Sequence, residues 1–306
     1  KIRVARHGIL YNNKGAVQAG SPIFVCEEPA MKLENDLGND PIGPLVRRIA
    51  IPSMLAQFVS VLYSIVDRIY ISNIADIGEV ALAGVGVGGP VVTMIGAFAS
   101  LIGIGGAPLM SIRMGAGKRL DAHRILNNCF LMLCVCAVVI TAAIFPLRRV
   151  MLMAFGASEV TLPYAEQYFT VYLCGTVFNL LALGLNQFII CQGFARKGML
   201  SVVLGAVLNL VLDPIFIFAL HMDVLGAALA TVVGQIAGFA LGIVFNYKLN
   251  HDIRLSFRGF RPCGRTIGRI YAVGVPSIIM ASISSVMTFG MNKILIGFSS
   301  TAAAVF

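Results

Sequence analysis

The most restrictive feature of the sequence is a series of long apolar stretches that recur along most of its length. A helix needs about 20 mainly apolar residues to cross the hydrocarbon core of a bilayer. Seven stretches meet this requirement, near residues 45–72, 80–112, 122–146, 162–191, 198–221, 224–247 and 268–298. The last residues, "STAAAVF", resemble the start of an eighth. We therefore predict an all-α, polytopic membrane protein whose chain stops inside a longer bundle.

The composition supports this class. Only 12% of the residues are charged, against about 25% in soluble domains. A transmembrane β-barrel would show alternating segments of about ten residues, and none are present. The bilayer is therefore the first partner that we expect.

The net charge is +9, and the basic residues sit mainly in loops between the apolar stretches. This placement predicts the orientation of the chain in the membrane and does not indicate nucleic-acid binding. Fourteen of the 23 basic residues lie in or beside one set of short loops: Arg47, Arg48, Arg113, Lys118, Arg119, Arg124, Arg196, Lys197, Lys248, Arg254, Arg258, Arg261, Arg265 and Arg269. The opposite loops hold only Arg148 and Arg149. By the positive-inside rule, the N-terminus and the basic loops lie in the cytoplasm.

The signatures of several other functions are missing from the sequence. The seven cysteines form no CxxC pair, and the histidines show no HExxH or other metal-ligand spacing. The segment "GVGVGGP" at 84–90 opens an apolar span without a preceding strand, so it favours close helix packing over nucleotide binding. We expect no enzyme activity, no cofactor and no structural metal.

Residues 1–30 differ from the rest in being mixed in composition and without a sustained period. Glu27 and Glu28 can be encoded by GAGGAG, a purine-rich ribosome-binding sequence, shortly before Met31. We expect residues 1–30 to be a non-native leader and translation to begin at Met31.

Two carboxylates lie deep in the apolar stretches, Asp67 in the first and Asp213 in the fifth. A charge near mid-bilayer costs about 2.5–3.5 kcal/mol, so such residues usually face a cavity or a partner. Asp67 lies 19 residues beyond Arg48, and Asp213 lies 16 beyond Lys197, so both should reach the outer half of the membrane.

Polar side chains at helical spacing accompany both acids. Tyr63 and Asn209 each precede an acid by four residues and share its helix face. Asn186 and Thr231 reach the same depth from the fourth and sixth stretches. These side chains and the two acids predict one polar cluster drawn from four helices. Crowded carboxylates in a low dielectric favour a shared proton, and the same oxygens also suit Na⁺.

Simpler explanations exist for each of these residues. Either acid can cap a helix end or extend to the interface, which fits Asp67, followed by Arg68, better than Asp213. Asn186 and Thr231 equally suit hydrogen bonds that only hold helices together. Pro52 and Pro214 interrupt apolar spans and predict bends, which are either mobile or static.

An internal repeat links the first and seventh spans. Residues 49–74, "IAIPSMLAQFVSVLYSIVDRIYISNI", resemble residues 273–298, "VGVPSIIMASISSVMTFGMNKILIGF". Six spans separate the two copies, so the repeats run parallel to each other. Duplicated bundles are typical of transporters.

Four motifs together resemble the multidrug and toxic compound extrusion (MATE) family, most closely its DinF-like branch. They are "IP…YSIVDRIYISNI", "LAGVGVGGP", "NLVLDP" and "LGAALAT" in the first, second, fifth and sixth spans. The resemblance covers the chain from about residue 41 onward. It implies a twelve-helix, two-lobe transporter in the cytoplasmic (inner) membrane of a prokaryote, monomeric at full length.

The resemblance also assigns domains and roles. It implies a cytoplasmic N-terminus (31–44), an N-lobe of six helices (45–247), a basic inter-lobe loop (248–267) and the start of a C-lobe (268–306). The coupling site for H⁺ or Na⁺ is implied for Asp67, Asn209, Asp213 and Thr231. The implied substrate cavity contains Gln57, Tyr63 and Asn186, and the implied bends are Pro52 and Pro214.

The resemblance favours a cation-coupled antiporter that exports amphipathic organic cations. The alternative is a lipid-linked oligosaccharide flippase of the same superfamily, which would need several cations facing its cavity to hold a pyrophosphate. The deeply placed charges of this sequence are mainly acidic, which favours the antiporter. A membrane-embedded enzyme is a third class, and it would require a catalytic His or a metal motif beside a span.

Overall fold

The computed structural model describes residues 41–248 and 262–296, which form seven α-helices and no β-strand. The helices are α1 (Ile42–Ser72), α2 (Gly78–Gly115), α3 (Arg119–Ala154), α4 (Leu162–Cys191), α5 (Ala195–Pro214), α6 (Asp223–Lys248) and α7 (Gly264–Ile296). A π-helical turn, Ile215–Ala219, continues α5. All seven helices, with this turn added to α5, are long and apolar enough to cross a membrane. The predicted all-α polytopic fold is therefore confirmed for this part of the chain.

Several predicted segments fall elsewhere in the sequence. The leader at 1–30, most of the predicted N-terminus at 31–44 and the start of an eighth helix lie outside the described residues. Most of the predicted basic loop at 248–267 lies outside them as well. These assignments stay predictions.

The largest difference between predicted and observed spans is at the end of α3. The predicted span ends near residue 146, whereas the helix continues through Pro146 to Ala154. Arg148 explains how the extension tolerates a charge. Its guanidinium donates to the Phe145 carbonyl oxygen at 2.8 Å and pairs with Glu166 on α4 at 3.1 Å. The charge is thus satisfied on the helix surface, and no loop is needed to expose it.

The core of the bundle is formed by α2, α3 and α4, and α1 lies at its periphery. All but one of the largest fully buried side chains come from these three helices, among them Ile102, Leu133 and Phe188; the exception is Ile71 of α1. By contrast, large apolar side chains of α1 such as Met54 and Phe58 are exposed. This pattern suits a helix that faces lipid or further helices of a larger bundle, since apolar exposure carries no cost within a bilayer.

Paired glycines bring α5 and α6 together at one level. A Cβ atom on Gly205 would lie 2.9 Å from the Gly234 carbonyl oxygen, and one on Gly234 would lie 2.7 Å from that of Gly205. Each glycine therefore permits a backbone approach that alanine would block. Small residues serve the same purpose at many helix crossings in membranes. The crossing lies one helical turn from Asn209 and one from Thr231.

The seventh helix packs along α2. A Cβ atom on Gly105 would clash with the Ile270 carbonyl oxygen, and one on Gly274 would clash with that of Leu101. Pro276 of α7 lies inside its helix, as Pro52 does in α1. The two predicted repeats thus share a proline-containing helix, and the assignment of α7 to a second lobe stays a prediction.

Candidate functional site

Four polar side chains are buried together where α1, α5 and α6 meet. Asp213 is 0% exposed, Asn209 2%, Asp67 8% and Thr231 9%. Asp213 is the penultimate residue of α5, and Asp67 lies five residues before the end of α1, so both occupy the ends remote from the basic loops. Burial of two carboxylates in one place requires partners or a bound cation.

Asn209 connects the group through its amide nitrogen. Nδ2 of Asn209 donates to Oδ1 of Asp213 at 3.2 Å and to Oγ1 of Thr231 at 3.3 Å. The four-residue spacing between Asn209 and Asp213 places both on one face of α5. The glycine crossing brings α6 close enough for Thr231 to join them. The bond to the carboxylate is charge-assisted when Asp213 is ionised.

The two carboxyl groups interact directly. Asp67 and Asp213 lie within hydrogen-bonding reach of each other, across the contact between α1 and α5. Such a pair can share one proton, whereas two negative charges at this distance repel each other in a low dielectric. A cation between their oxygens would remove this repulsion.

Several buried oxygen atoms of this group are without a donor. Oδ1 of Asp67, Oδ2 of Asp213 and Oδ1 of Asn209 receive no hydrogen bond from the part of the chain that the structure describes. An unsatisfied buried acceptor costs about 1–3 kcal/mol. A proton on one carboxyl oxygen would donate a hydrogen bond to a second acceptor, and Na⁺ would coordinate several of these oxygens, because hard cations prefer oxygen ligands. The oxygens present therefore fit either cation.

Two tyrosines flank the acids. Tyr63 lies one turn before Asp67 on α1 and is close to both carboxyl groups. Tyr168 on α4 approaches Asp67 and forms a side-chain hydrogen bond with Thr231. Tyr168 is not predicted from the sequence, since its segment "PYAEQYFTVY" shows no spacing that points to a site. Only the packing of α4 against α6 brings it there.

A cavity of about 110 Å³ adjoins the acids on the side of Asn209 and Thr231. Eight of its fifteen lining residues carry polar side chains, and they come from four helices: Ser60, Tyr63, Asn179, Asn186, Ser201, Asn209, Thr231 and Gln235. Two further amide oxygens in its wall, Oδ1 of Asn186 and Oε1 of Gln235, are buried without a hydrogen-bond partner among the described residues. The wall thus offers acceptors to a ligand that carries donors or positive charge.

The predicted site residues occupy different places in this arrangement. Tyr63 and Asn186 line the cavity, whereas Gln57 is exposed on α1 and does not contribute to its wall. Pro52 is buried inside α1, 15 residues from Asp67. Pro214 ends α5, and the π-helical turn follows directly. Asn179 and Gln235, which the sequence did not single out, contact Tyr172 by hydrogen bonds.

Comparison with known proteins places this geometry in a family. The MatE family model matches residues 52–215, more than half of the chain. "Multidrug export protein MepA" from Staphylococcus haemolyticus is 27% identical over 256 residues, which cover 83% of this chain and 56% of that protein. The chain thus spans little more than half the length of this relative.

Two solved structures share the fold. One is the inward-facing conformation of a multidrug resistance MATE family transporter of the MOP superfamily, with a TM-score of 0.76 and 28% identity; the match covers 86% of this chain and 59% of that one. The other is a MOP superfamily transporter from Pyrococcus furiosus, whose description infers a different function from the reverse polarity of its binding pocket. It has a TM-score of 0.77 and 28% identity, and the match covers 85% and 57% of the two chains. With the family match over residues 52–215, these likenesses show that the chain belongs to the MATE family.

Proposed function

We propose that the protein exports amphipathic organic cations across the cytoplasmic membrane of a prokaryote, in exchange for H⁺ or Na⁺. The observation that carries the proposal is the buried pair of Asp67 and Asp213 beside a polar cavity, in a MATE family chain. The MepA relatives are named as multidrug export proteins, which supports the export of drugs.

The acid pair supplies the means of exchange. With no cation present, two carboxylates in a low dielectric repel each other, so the pair binds a cation readily. Binding of H⁺ or Na⁺ neutralises the pair and removes the negative charge that would hold a cationic substrate in the adjoining cavity. The ion and the substrate therefore compete for the same charge, and such competition is the basis of antiport.

The cavity has to enlarge before it can accept a drug-sized cation. Its volume is about 110 Å³, whereas pockets that bind such ligands measure roughly 300–1,000 Å³. Among the cavity walls, α1 is the helix with the most exposed apolar surface, and it contains Pro52, where one backbone hydrogen bond is missing. We propose that a bend of α1 at Pro52 opens the cavity and changes the distance between Asp67 and Asp213.

Asp213→Asn tests the assignment of the coupling pair. In cells that express the complete gene, we expect this variant to lose ethidium efflux, because an amide cannot exchange a proton or neutralise a cation. Asp76→Asn is the matched control, since Asp76 is exposed in a turn with φ of 65°, which asparagine tolerates. Efflux at the wild-type rate in Asp213→Asn, at equal expression, would contradict the proposed role of the acid pair in coupling.

The coupling ion is identified by collapsing the two gradients separately. A protonophore should stop efflux if the ion is H⁺, and a Na⁺ ionophore should stop it if the ion is Na⁺. Efflux that survives the loss of both gradients would contradict cation coupling.

The polarity of the cavity argues against the alternative of a lipid-linked oligosaccharide flippase. A pyrophosphate needs basic side chains, yet no Lys or Arg lines the cavity among the described residues. For the Pyrococcus furiosus transporter, reversed pocket polarity is the stated reason to infer a different function. Transport of a lipid-linked anion with no efflux of cationic dyes would favour the flippase instead.

A further inference from the structure

A second cavity lies between the first halves of α1 and α5, away from the acid pair. Its volume is about 590 Å³. Three arginines and six other residues line it: Arg47, Arg48, Arg196, Pro44, Ile51, Pro52, Leu55, Met199 and Leu200. The proposed exchange of cations uses none of these arginines.

The positive charge of this cavity comes from both helices. Arg47 and Arg48 lie in the second turn of α1, and Arg196 lies in the first turn of α5. No acidic side chain lines the cavity among the described residues. Neither helix has an acid in its first turn or a side-chain cap, so both positive helix ends add to the field. The neighbouring Lys197 points elsewhere, with its Nζ 5.7 Å from the centre of the Phe245 ring.

The remainder of the lining is apolar and continues along the helices toward the membrane centre. Ile51 and Leu55 follow the arginines of α1 at intervals of one turn, and Met199 and Leu200 follow Arg196 on α5. The cavity therefore changes from cationic at the edge of the membrane to apolar within it. An amphiphile with an anionic head matches both parts, whereas a free anion would leave the apolar part unused.

We propose that this cavity binds an anionic phospholipid from the leaflet on the basic side of the protein. The guanidinium groups of Arg47 and Arg196 contact the phosphate of the headgroup, since planar guanidinium matches phosphate geometry. One acyl chain lies against Ile51, Leu55, Met199 and Leu200. Basic pockets between transmembrane helices are known to select such headgroups.

A lipid bound in this cavity would also affect the conformation of α1, because Pro52 lies in the cavity wall. Pro52 forms part of the cavity wall, so a bound lipid contacts the residue at which α1 is proposed to bend. This consequence rests on the proposed function, whereas binding of the lipid does not.

Native mass spectrometry of the purified full-length protein tests binding without any measurement of transport. We expect the wild type to retain phosphatidylglycerol in preference to phosphatidylcholine. Arg47→Gln/Arg48→Gln/Arg196→Gln should lower phosphatidylglycerol retention more than tenfold, since each lost cation should weaken binding about fivefold. The control Arg113→Gln/Lys118→Gln/Arg119→Gln removes the same charge outside the cavity and should retain the lipid.

Equal retention in the two triple variants, or an equal loss in both, would overturn the proposal. Inorganic phosphate in millimolar excess should not displace the lipid, and displacement would reassign the site to a free anion. If the triple variant does not fold, Arg47→Gln and Arg196→Gln serve singly, because both side chains are exposed. Each should lower retention about fivefold, and unchanged retention in both would refute the site.

Discussion

Asp213 depends on Asn209 and Asp67 for its position in an apolar environment. Its Oδ1 accepts a hydrogen bond from Asn209, and Asp67 faces it from α1. Asn209 in turn depends on Thr231, whose hydroxyl also bonds with Tyr168. A substitution at Thr231 should therefore affect Asp213 through two successive hydrogen bonds, from Thr231 to Asn209 and from Asn209 to Asp213. It should do so although Thr231 carries no charge.

Thr231→Val removes the hydroxyl and keeps the shape of the side chain. We expect the free energy of unfolding to fall by about 1–3 kcal/mol, because Asn209 and Tyr168 each lose a buried partner. The measurement is the thermal unfolding of the purified protein in detergent. Thr231→Ser keeps the hydroxyl and should preserve most of the stability lost in the valine variant. Equal stability of Thr231→Val and the wild type would show that these bonds contribute nothing.

The sequence predicts the acids better than their surroundings. Asp67 and Asp213 are conspicuous because charge is costly in an apolar span, and Asn209 follows from helical spacing. Asn179, Gln235 and Tyr168 have ordinary polar or aromatic side chains within helices. Only tertiary packing reveals that Asn179 and Gln235 face the cavity and that Tyr168 reaches Thr231. The exposed position of Gln57 likewise depends on how α1 is rotated against its neighbours.

At the scale of elements, Pro214 changes the path of the chain after the site. Proline has no backbone N–H, so one hydrogen bond of the α-helical pattern is lost at Pro214. The chain continues as the π-helical turn, in which Leu220 donates to the Ile215 carbonyl oxygen at 2.9 Å. Gly226 of α6 packs on this turn, where a Cβ would lie 2.8 Å from the Phe216 carbonyl carbon. The proline thus ends α5 beside Asp213 and sets how α6 returns toward Thr231.

The glycine crossing of α5 and α6 yields a second prediction. In Gly205→Ala the new Cβ lies 2.9 Å from a backbone oxygen, so the two helices must separate. We expect a loss of about 1–3 kcal/mol in stability and reduced dye efflux, because the 3.3 Å bond between Asn209 and Thr231 is already long.

Gly86→Ala in α2 is the control for this variant, since no atom lies within 4 Å of its Cβ position. Alanine there should leave stability unchanged or raise it by up to about 1 kcal/mol. If both variants behave alike, the cost arises from glycine replacement in general and not from the crossing. The sequence alone could not identify this contact, because the close approach belongs to a pair of helices.

At the scale of the whole molecule, the apolar stretches predict the seven spans because each span must satisfy its own backbone within the bilayer. The requirement is local, and it depends on no other part of the chain. The packing of α7 on α2 and the extension of α3 to Ala154 depend on contacts between helices. The apolar stretches alone therefore do not predict them. The orientation of the bundle is a further property of the whole molecule, and it rests on the loop charges.

Cys263 offers a native reporter of that orientation. It is exposed just before α7, beside the basic loop that we predict to lie in the cytoplasm. Hydrogen bonds with Thr266 and the nearby charge of Arg265 lower the pKa of its thiol, so more of it is thiolate near neutral pH than in an ordinary cysteine. A membrane-impermeant maleimide should therefore label it rapidly at pH 7 once it has access.

We expect labelling of Cys263 in inverted membrane vesicles and none in intact spheroplasts, with Cys263→Ser removing the signal. In the Cys263→Ser background, Ala75→Cys places a thiol in the exposed turn between α1 and α2, on the opposite side. That thiol should react in spheroplasts and remain unlabelled in inverted vesicles. The reverse pattern at both positions would place the basic loops outside the cell. The arginine-lined cavity would then face the outer leaflet, and the coupling acids would lie nearer the cytoplasm.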